Sequence, residues 1–166
     1  MNGKVAFSIL LLTVLLGPAA AETSLPDAIA APGAAPVLTA HAVGTQIYEC
    51  KAGADGKLAW VFREPAATLT ADDQIVAHHF AGPTWQFNDG SAVVGKAIAS
   101  VPGKTANDIA WLKLDVVSHR GDGTGSQVVT VQRINTVGGV ITGACDRAEA
   151  TRAMPYSADY VFLRKS

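Results

Sequence analysis

The feature that most constrains this fold is a series of short runs of β-branched and aromatic residues, which begins at Val37 and continues to the end of the chain. Glycine, asparagine, aspartate and proline separate the runs, and these are the residues that turns between β-strands require. No window longer than about ten residues keeps the 3.6-residue apolar period of a helix, so no substantial helix is expected. The pattern predicts an all-β fold of about eight or nine short strands, in an antiparallel sandwich or a closed barrel.

The alternation of side chains within the runs predicts the individual strands. They cover residues 37–43, 45–51, 58–63, 74–80, 84–87, 91–97, 109–119, 127–136 and 159–165. Asn88-Asp89-Gly90 is predicted to form a type I′ turn, because that turn needs residues that tolerate positive φ. The glycine-rich residues 121–125 are predicted to form a flexible hairpin loop, since no helix follows them and the lysine of a phosphate-binding loop is missing.

The N-terminal residues predict an export signal at residues 1–21. Lys4 precedes an apolar stretch at residues 5–16, and Ala19 and Ala21 then stand at the positions that a signal peptidase requires. The stretch is about half of the roughly 20 residues needed to cross a bilayer as a helix, so cleavage is favoured over a membrane anchor. A secreted or periplasmic location is therefore expected, with no membrane insertion after cleavage.

The remaining chain is predicted to hold one domain. Residues 22–36 form an Ala- and Pro-rich N-terminal segment, in which Pro26 is expected to open a helical turn that ends at Ala30. Residues 37–166 form a single β domain. With Lys4 removed, 12 Lys and Arg residues face 14 acidic residues, and no run of like charge occurs, so nucleic acid is not an expected partner.

Two cysteines, Cys50 and Cys145, are expected to form a disulfide, because paired cysteines are the rule in exported domains. The loop between them is long, and its closure entropy corresponds to about 4–5 kcal/mol as an upper figure. The alternative is a thiol metal site or a redox pair. Such sites usually show a C-x-x-C spacing or a nearby histidine, and the sequence around the two cysteines has neither.

Four histidines are the candidates for metal binding or acid–base chemistry: His41, His78, His79 and His119. Neighbouring side chains on a strand point to opposite faces, so His78 and His79 are not expected to bind the same ion. No short-spaced ligand pair such as H-x-H occurs, and no metal or cofactor is predicted. A Ser-His-Asp arrangement of Ser91, His79 and Asp89 is open geometrically, but turn chemistry explains Ser91 and Asp89 more simply.

The three tryptophans have different expected positions. Trp60 and Trp111 alternate with aliphatic residues inside strands and are predicted to lie in the core. Trp85 follows Gly82-Pro83 at the start of a strand. It is expected either to line a ligand cleft or to fill the end of the barrel, and filling the end is the preferred interpretation.

Several segments spread over the chain resemble a known family. They are residues 25–38, GTQIYEC (44–50), W-x-F (60–62), HFAGPTWQFNDGSAVVG (79–95), IAWLKL (109–114), VQRINTVGG (131–139), G-x-C-D (143–146) and MPYSADYVF (154–162). In their order and coverage they resemble a secreted family of domains of unknown function found in bacteria and fungi, some members of which carry a malate dehydrogenase name.

The resemblance implies an exported β domain with paired cysteines, and it transfers no catalytic residue to this chain. The most recognisable segment contains His79, Trp85 and Asp89, which are therefore the candidate ligand-binding residues. His78 stands where the family pattern has an ordinary polar or small residue, which makes it the weaker candidate of the histidine pair. Dehydrogenase activity is not expected, because the sequence predicts no βαβ unit with a glycine-rich turn for a dinucleotide.

Three functions remain open at this point. The preferred hypothesis is an exported, non-enzymatic β domain that binds a small ligand or an envelope partner near residues 79–89. The second is a metal-dependent or hydrolytic enzyme that uses His79 with another histidine. The third is a structural envelope protein with no discrete site.

Overall fold

Residues 25–166 are described by a computed structural model. The predicted signal peptide at residues 1–21 lies outside these residues. The elements in chain order are the 3₁₀ turn η1 (Asp27–Ile29), β1 (Ala34–Ala52), β2 (Leu58–Ala71), β3 (Gln74–Phe80), β4 (Thr84–Phe87), β5 (Ala92–Val101), β6 (Trp111–Arg120), the 3₁₀ turn η2 (Thr124–Gln127), β7 (Thr130–Gly138) and β8 (Thr151–Lys165).

The eight strands form one closed antiparallel barrel. Each strand pairs with its neighbours in the chain, and β8 pairs with β1 to close the ring. The all-β prediction is confirmed, and the barrel is the correct choice of the two predicted architectures. Within residues 25–166 no helix is long and apolar enough to cross a membrane.

The split of β1 at Gly44 was a wrong prediction. Residues 37–43 and 45–51 belong to one continuous strand. A Cβ on Gly44 would lie 2.2 Å from the Ala66 carbonyl oxygen, so β1 and β2 approach each other too closely for any other residue. Glycine therefore marks a close approach of two strands here and not the end of one.

Two strands are much longer than predicted, and both continue through a proline. β2 continues past Pro65 to Ala71, and β8 begins at Thr151, before Pro155. Pro65 pairs with Gln46 next to a bulge in the β1–β2 ladder, and bulges are places where a strand tolerates proline. In contrast, β3 and β4 have the predicted bounds.

The predicted type I′ turn at Asn88-Asp89-Gly90 is also wrong. Of these three residues only Gly90 has a positive φ, at 86°. The Gly90 N–H donates to the Phe87 carbonyl at 3.0 Å, and the Phe87 N–H donates to the Ser91 carbonyl at 2.8 Å. This pattern is typical of a three-residue hairpin loop that ends in a glycine bulge.

The up-and-down order places the loops at two ends. Residues 72–73, 88–91 and 121–129 lie at one end, which we call the closed end, and residues 53–57, 81–83, 102–110 and 139–150 lie at the other, the open end. At the closed end η2 packs against Phe87. Residues 121–125 do lie in the connection of β6 to β7, as predicted, but the connection continues to residue 129 and includes η2.

Inward-facing aromatic rings dominate the core at and above the closed end. Trp85, Phe87, Tyr160 and Phe162 form a chain of ring contacts with centroid separations of 5.1 to 6.4 Å. Three of these contacts are edge-to-face and the Tyr160–Phe162 contact is stacked, and both geometries add to the hydrophobic gain from burial. Small residues such as Ala42 and Ala77 fill the space around the rings.

The burial of the tryptophans differs from the prediction. Trp85 is 1% exposed and is the tryptophan of the core. Trp60 and Trp111, which were predicted to be core residues, are only partly buried, since both lie at the ends of strands at the open end. The Arg152 guanidinium lies 5.4 Å from the Trp60 ring centroid and covers it.

Two further contacts hold segments outside the strands against the barrel. The disulfide Cys50–Cys145 is present as predicted and ties the β7–β8 loop to the end of β1. The predicted helical turn after Pro26 is present as η1, where the buried Ile29 packs and its carbonyl accepts a hydrogen bond from Gln132 Nε2 at 2.7 Å.

Removal of the disulfide should destabilise the barrel. The variant with Cys50→Ala and Cys145→Ala should lose about 2–5 kcal/mol of unfolding free energy in urea, because the unfolded chain regains the entropy of a long loop. Dithiothreitol should lower the urea midpoint of the wild type and leave that of the double variant unchanged. Equal midpoints for oxidised and reduced wild type would contradict the assignment.

Replacement of Trp85 and of Trp60 by alanine should lower the unfolding free energy by different amounts. Trp85→Ala should cost about 3–5 kcal/mol, because it leaves a large cavity among the aromatic rings. Trp60→Ala should cost less, about 1–2 kcal/mol, since that ring is only partly buried at the open end and packs against Arg152. Urea unfolding followed by circular dichroism measures both, and similar losses would show that the core is assigned wrongly.

Candidate functional site

A cavity of about 310 Å³ occupies the barrel interior towards the open end. Strands and loops from around the barrel contribute its lining: Gln46, Phe62, Arg63, Pro65, His79, Gly82, Pro83, Trp85, Ala97, Leu112, Leu114, Arg133 and Tyr160. The lining combines core rings with aliphatic, proline and arginine side chains. The cavity is therefore the part of the interior that the core side chains leave unfilled.

The floor of the cavity is a stack of two rings held by a third. The rings of His79 and Trp85 are nearly parallel, with centroids 4.4 Å apart and an interplanar angle of 7°. Tyr160 meets both rings edge-on, at 5.2 Å and 5.5 Å. Gly95 makes room for the stack, since a Cβ there would lie 2.9 Å from Trp85 Cζ3.

His79 is a neutral hydrogen-bond acceptor towards the cavity. Its Nδ1 lies 2.8 Å from the Thr84 carbonyl oxygen, so Nδ1 carries the proton and donates it. Burial lowers the pKa of His79 to about 4, the bond to Thr84 opposes this shift, and the positive charge of Arg133 adds to it. At neutral pH the imidazole is therefore uncharged, and Nε2 has a free lone pair.

Two buried tyrosine hydroxyls face each other in the barrel interior, and Tyr160 also lines the cavity. The hydroxyl oxygens of Tyr156 and Tyr160 are 3.3 Å apart. Burial raises the pKa of both phenols above the ordinary value. Both groups therefore stay protonated and act as hydrogen-bond donors or acceptors, not as bases.

Arg133 brings a positive charge to the cavity wall. Its Nε and Nη2 donate to the Ala110 carbonyl at 3.1 Å and 2.8 Å, which fixes the guanidinium in place. None of the four ion pairs formed within residues 25–166 includes Arg133. In contrast, Arg63 at the rim is paired with Glu64, at 2.9 Å from Nε to Oε1.

Two buried N–H donors in the cavity wall lack a partner. Gln46 is 3% exposed and Trp85 is 1% exposed. Among the described residues no acceptor satisfies Gln46 Nε2 or Trp85 Nε1. A buried donor without a partner costs about 1–3 kcal/mol, so both donors are places where a ligand acceptor would be favoured.

The structure brings together two of the three candidate ligand-binding residues. His79 and Trp85 form the cavity floor, but Asp89 lies in the β4–β5 loop at the closed end. There Asp89 accepts hydrogen bonds from Ser91 Oγ at 2.6 Å and from the N–H and hydroxyl of Thr124 at 2.7 Å. These bonds hold the pKa of Asp89 well below its usual range, with the bond from Ser91 as the largest cause.

Ser91 joins the same network and does not serve His79. Its hydroxyl donates to Asp89 and accepts the Gly125 N–H at 2.9 Å, which ties η2 to the barrel. The hydroxyl and the imidazole are at opposite ends of β4. Asp89 and Ser91 therefore stabilise the closed end, in agreement with the interpretation of these residues as turn chemistry.

The other histidines lie apart from the cavity. His41 Nδ1 is 2.8 Å from Asp159 Oδ1 on the exterior, with 54% of the histidine side chain exposed. His119 Nε2 donates to the Val128 carbonyl at 2.7 Å, and His78 is exposed on the outer face of β3. Residues 25–166 contain no group of three His, Cys, Asp or Glu side chains that could hold a metal ion.

Sequence reasoning missed the polar residues of the cavity, above all Gln46, Arg133 and Tyr160. One signal was available for Arg133, because it shares a strand face with the buried Val131. A charged residue on the apolar face of a strand is a functional candidate. Gln46 gives no such signal, because glutamine is common on exposed strand faces.

The comparisons with known proteins identify a family and no function. The family model described as "Protein of unknown function (DUF3455)" matches residues 31–73 and 70–164. The predicted resemblance to a family of domains of unknown function is thereby confirmed. No curated protein and no solved structure matches the chain.

The titration of His79 should show its burial. In ¹H NMR the His79 imidazole should titrate near pH 4. Because the unfolded histidine binds its proton at about pH 6.5, the folded state should lose about 3 kcal/mol of stability as the pH falls from 6.5 to 4. His79→Gln should remove this dependence, and the neighbouring His78→Gln should keep it. Identical pH dependence in the two variants would refute the assignment.

Proposed function

We propose that this chain, which belongs to the DUF3455 family of proteins of unknown function, binds one small molecule in the cavity at the open end of its barrel. The observation that carries the proposal is the cavity itself. It combines an aromatic floor, aliphatic walls and a few polar groups that converge on one space, as small-molecule sites do.

The size of the cavity agrees with this function. An eight-stranded barrel has an interior that side chains just fill or that holds one small ligand. Here the aromatic rings fill the closed end, and about 310 Å³ remains towards the open end. This volume is at the lower end of the range for ligand pockets, so the ligand is smaller than a typical drug.

Export of the protein supports a ligand from the envelope or the surroundings. The N-terminal residues have the order of a cleaved signal, and the disulfide Cys50–Cys145 is of the kind that persists in oxidising compartments. A secreted or periplasmic binding module is the function that combines both features.

Binding is favoured over catalysis by the surroundings of His79. Its Nδ1 is bound to a backbone carbonyl, and the cavity lining contains no second histidine, carboxylate or serine that it could activate. General acid–base and nucleophilic mechanisms need such a partner within hydrogen-bond distance. A purely structural role leaves the cavity unexplained, together with the two donors in its wall, Gln46 Nε2 and Trp85 Nε1, that have no acceptor among the described residues.

A fragment screen with a cavity-filling variant tests the proposal. The wild type should bind members of a set that includes indole, phenol, benzoate and hexanoate, seen as ligand-observed NMR signals and as a raised melting temperature, because a ligand that binds only the folded state stabilises it. Ala97→Phe, which fills the cavity from β5, should abolish binding. Ala66→Phe, on the exposed face of β2, should leave it intact.

Two results would overturn the proposal. One is a wild type that binds no member of the set. The other is binding that survives Ala97→Phe in a variant whose circular dichroism shows a folded barrel, since the ligand would then sit elsewhere.

A further inference from the structure

We infer that the ligand is a small organic acid, whose carboxylate is bound by the Arg133 guanidinium and the Gln46 side-chain amide while its apolar body lies on the Trp85–His79 stack. The inference rests on the proposed function and goes further by naming the chemical class of the ligand.

The charged side chains in the cavity lining are all positive. The lining contains two arginines and no aspartate or glutamate. Arg63 is already neutralised by Glu64, whereas Arg133 has no carboxylate partner within the described part of the chain. Arg133 is partly buried, so its unpaired positive charge favours an anion in the cavity and disfavours a cation.

The field of Arg133 reaches the groups that a ligand would touch. Its positive charge lowers the pKa of His79, and it opposes the effect of burial on the pKa of Tyr160. The guanidinium donates two of its N–H groups to the Ala110 carbonyl. The Nη1 amino group and one Nη2 N–H are left for the Tyr160 hydroxyl and for a ligand.

The cavity wall has more hydrogen-bond donors than acceptors. Gln46 Nε2 and Trp85 Nε1 are buried N–H groups without acceptors among residues 25–166, and the Tyr160 hydroxyl stays protonated. The one ring nitrogen in the lining that can accept a hydrogen bond is His79 Nε2. An ionised carboxylate is acceptor-only, with two oxygens and about four lone-pair sites, so it complements this set better than an amide or an alcohol.

The cavity suits a carboxylate better than a phosphate. Phosphate sites usually present several cations or a series of backbone N–H groups to a doubly charged group. This cavity offers one unpaired guanidinium, and Leu112, Leu114 and Ala97 make much of its remaining wall apolar. A singly charged carboxylate with a short aliphatic or aromatic body fits both the charge and the wall.

Matched acids and amides test the inference. Phenylacetate and hexanoate are compared with phenylacetamide and hexanamide by NMR titration of the full mature chain at pH 7.5, with the Trp85 indole N–H and the His79 ring as reporters. Because a charge-assisted hydrogen bond is lost in the amide, each acid should bind wild type about tenfold tighter than its amide.

We expect the charge on Arg133 to cause the tighter binding of each acid compared with its amide. Arg133→Gln should reduce the ratio of the two affinities to about twofold or less. The matched control Arg120→Gln removes one exposed arginine at the closed end and should keep the wild-type ratio. If Arg133→Gln fails to fold because its bonds to Ala110 are lost, Arg133→Lys keeps the charge without the fork and should retain acid binding with a reduced ratio.

The outcomes separate the inference from the proposed function. Equal affinity of acid and amide for wild type overturns the inference and leaves small-molecule binding in place. An unchanged ratio in folded Arg133→Gln, or an equal loss in Arg120→Gln, also overturns it, since the preference would then arise from other charges. A wild type that binds neither the acids nor the neutral fragments overturns both.

Discussion

The pairing of β8 with β1 is the constraint on which the rest of the structure depends. The ladder extends from Ala34 opposite Lys165 to Glu49 opposite Thr151, and it joins the two ends of the described chain along most of their length. A sheet that closes in this way has no exposed edge strands. Closure also decides which side chains face inward, and thereby places Gln46 of β1 in the same interior as Tyr160 of β8.

The cavity follows from an uneven distribution of side-chain volume along the barrel. At the closed end Phe87 and Phe162 fill the interior, and Asp89 holds the loops over them through its bonds to Ser91 and Thr124. Towards the open end, the lining includes the small side chains of Ala97 and Pro65. Interiors of proteins are normally packed to crystal density, so an unfilled, partly polar space here indicates room for something other than the chain.

Local patterns predicted what local interactions decide. β3, β4 and η1 came from alternation and proline position, and the disulfide came from cysteine count and compartment. The breaks inferred at Gly44 and Pro65 were wrong, because pairing with a neighbouring strand carries the chain through residues that would end an isolated one. Asp89 was grouped with His79 by proximity in sequence, although consecutive turns of an up-and-down barrel lie at opposite ends.

The polar residues of the cavity could not be found in this way, because their meaning arises only after closure. Gln46 and Arg133 are far apart in sequence, and neither side chain is unusual on a strand until both face one interior. Once there, they are costly: one donor has no acceptor, and one charge has no counter-charge within the described residues. Natural folds retain such costs at functional sites, where a ligand supplies what the chain lacks. Burial also keeps His79 neutral, so it adds no second charge to the wall. The positive charge of Arg133 is therefore left for the ligand to balance.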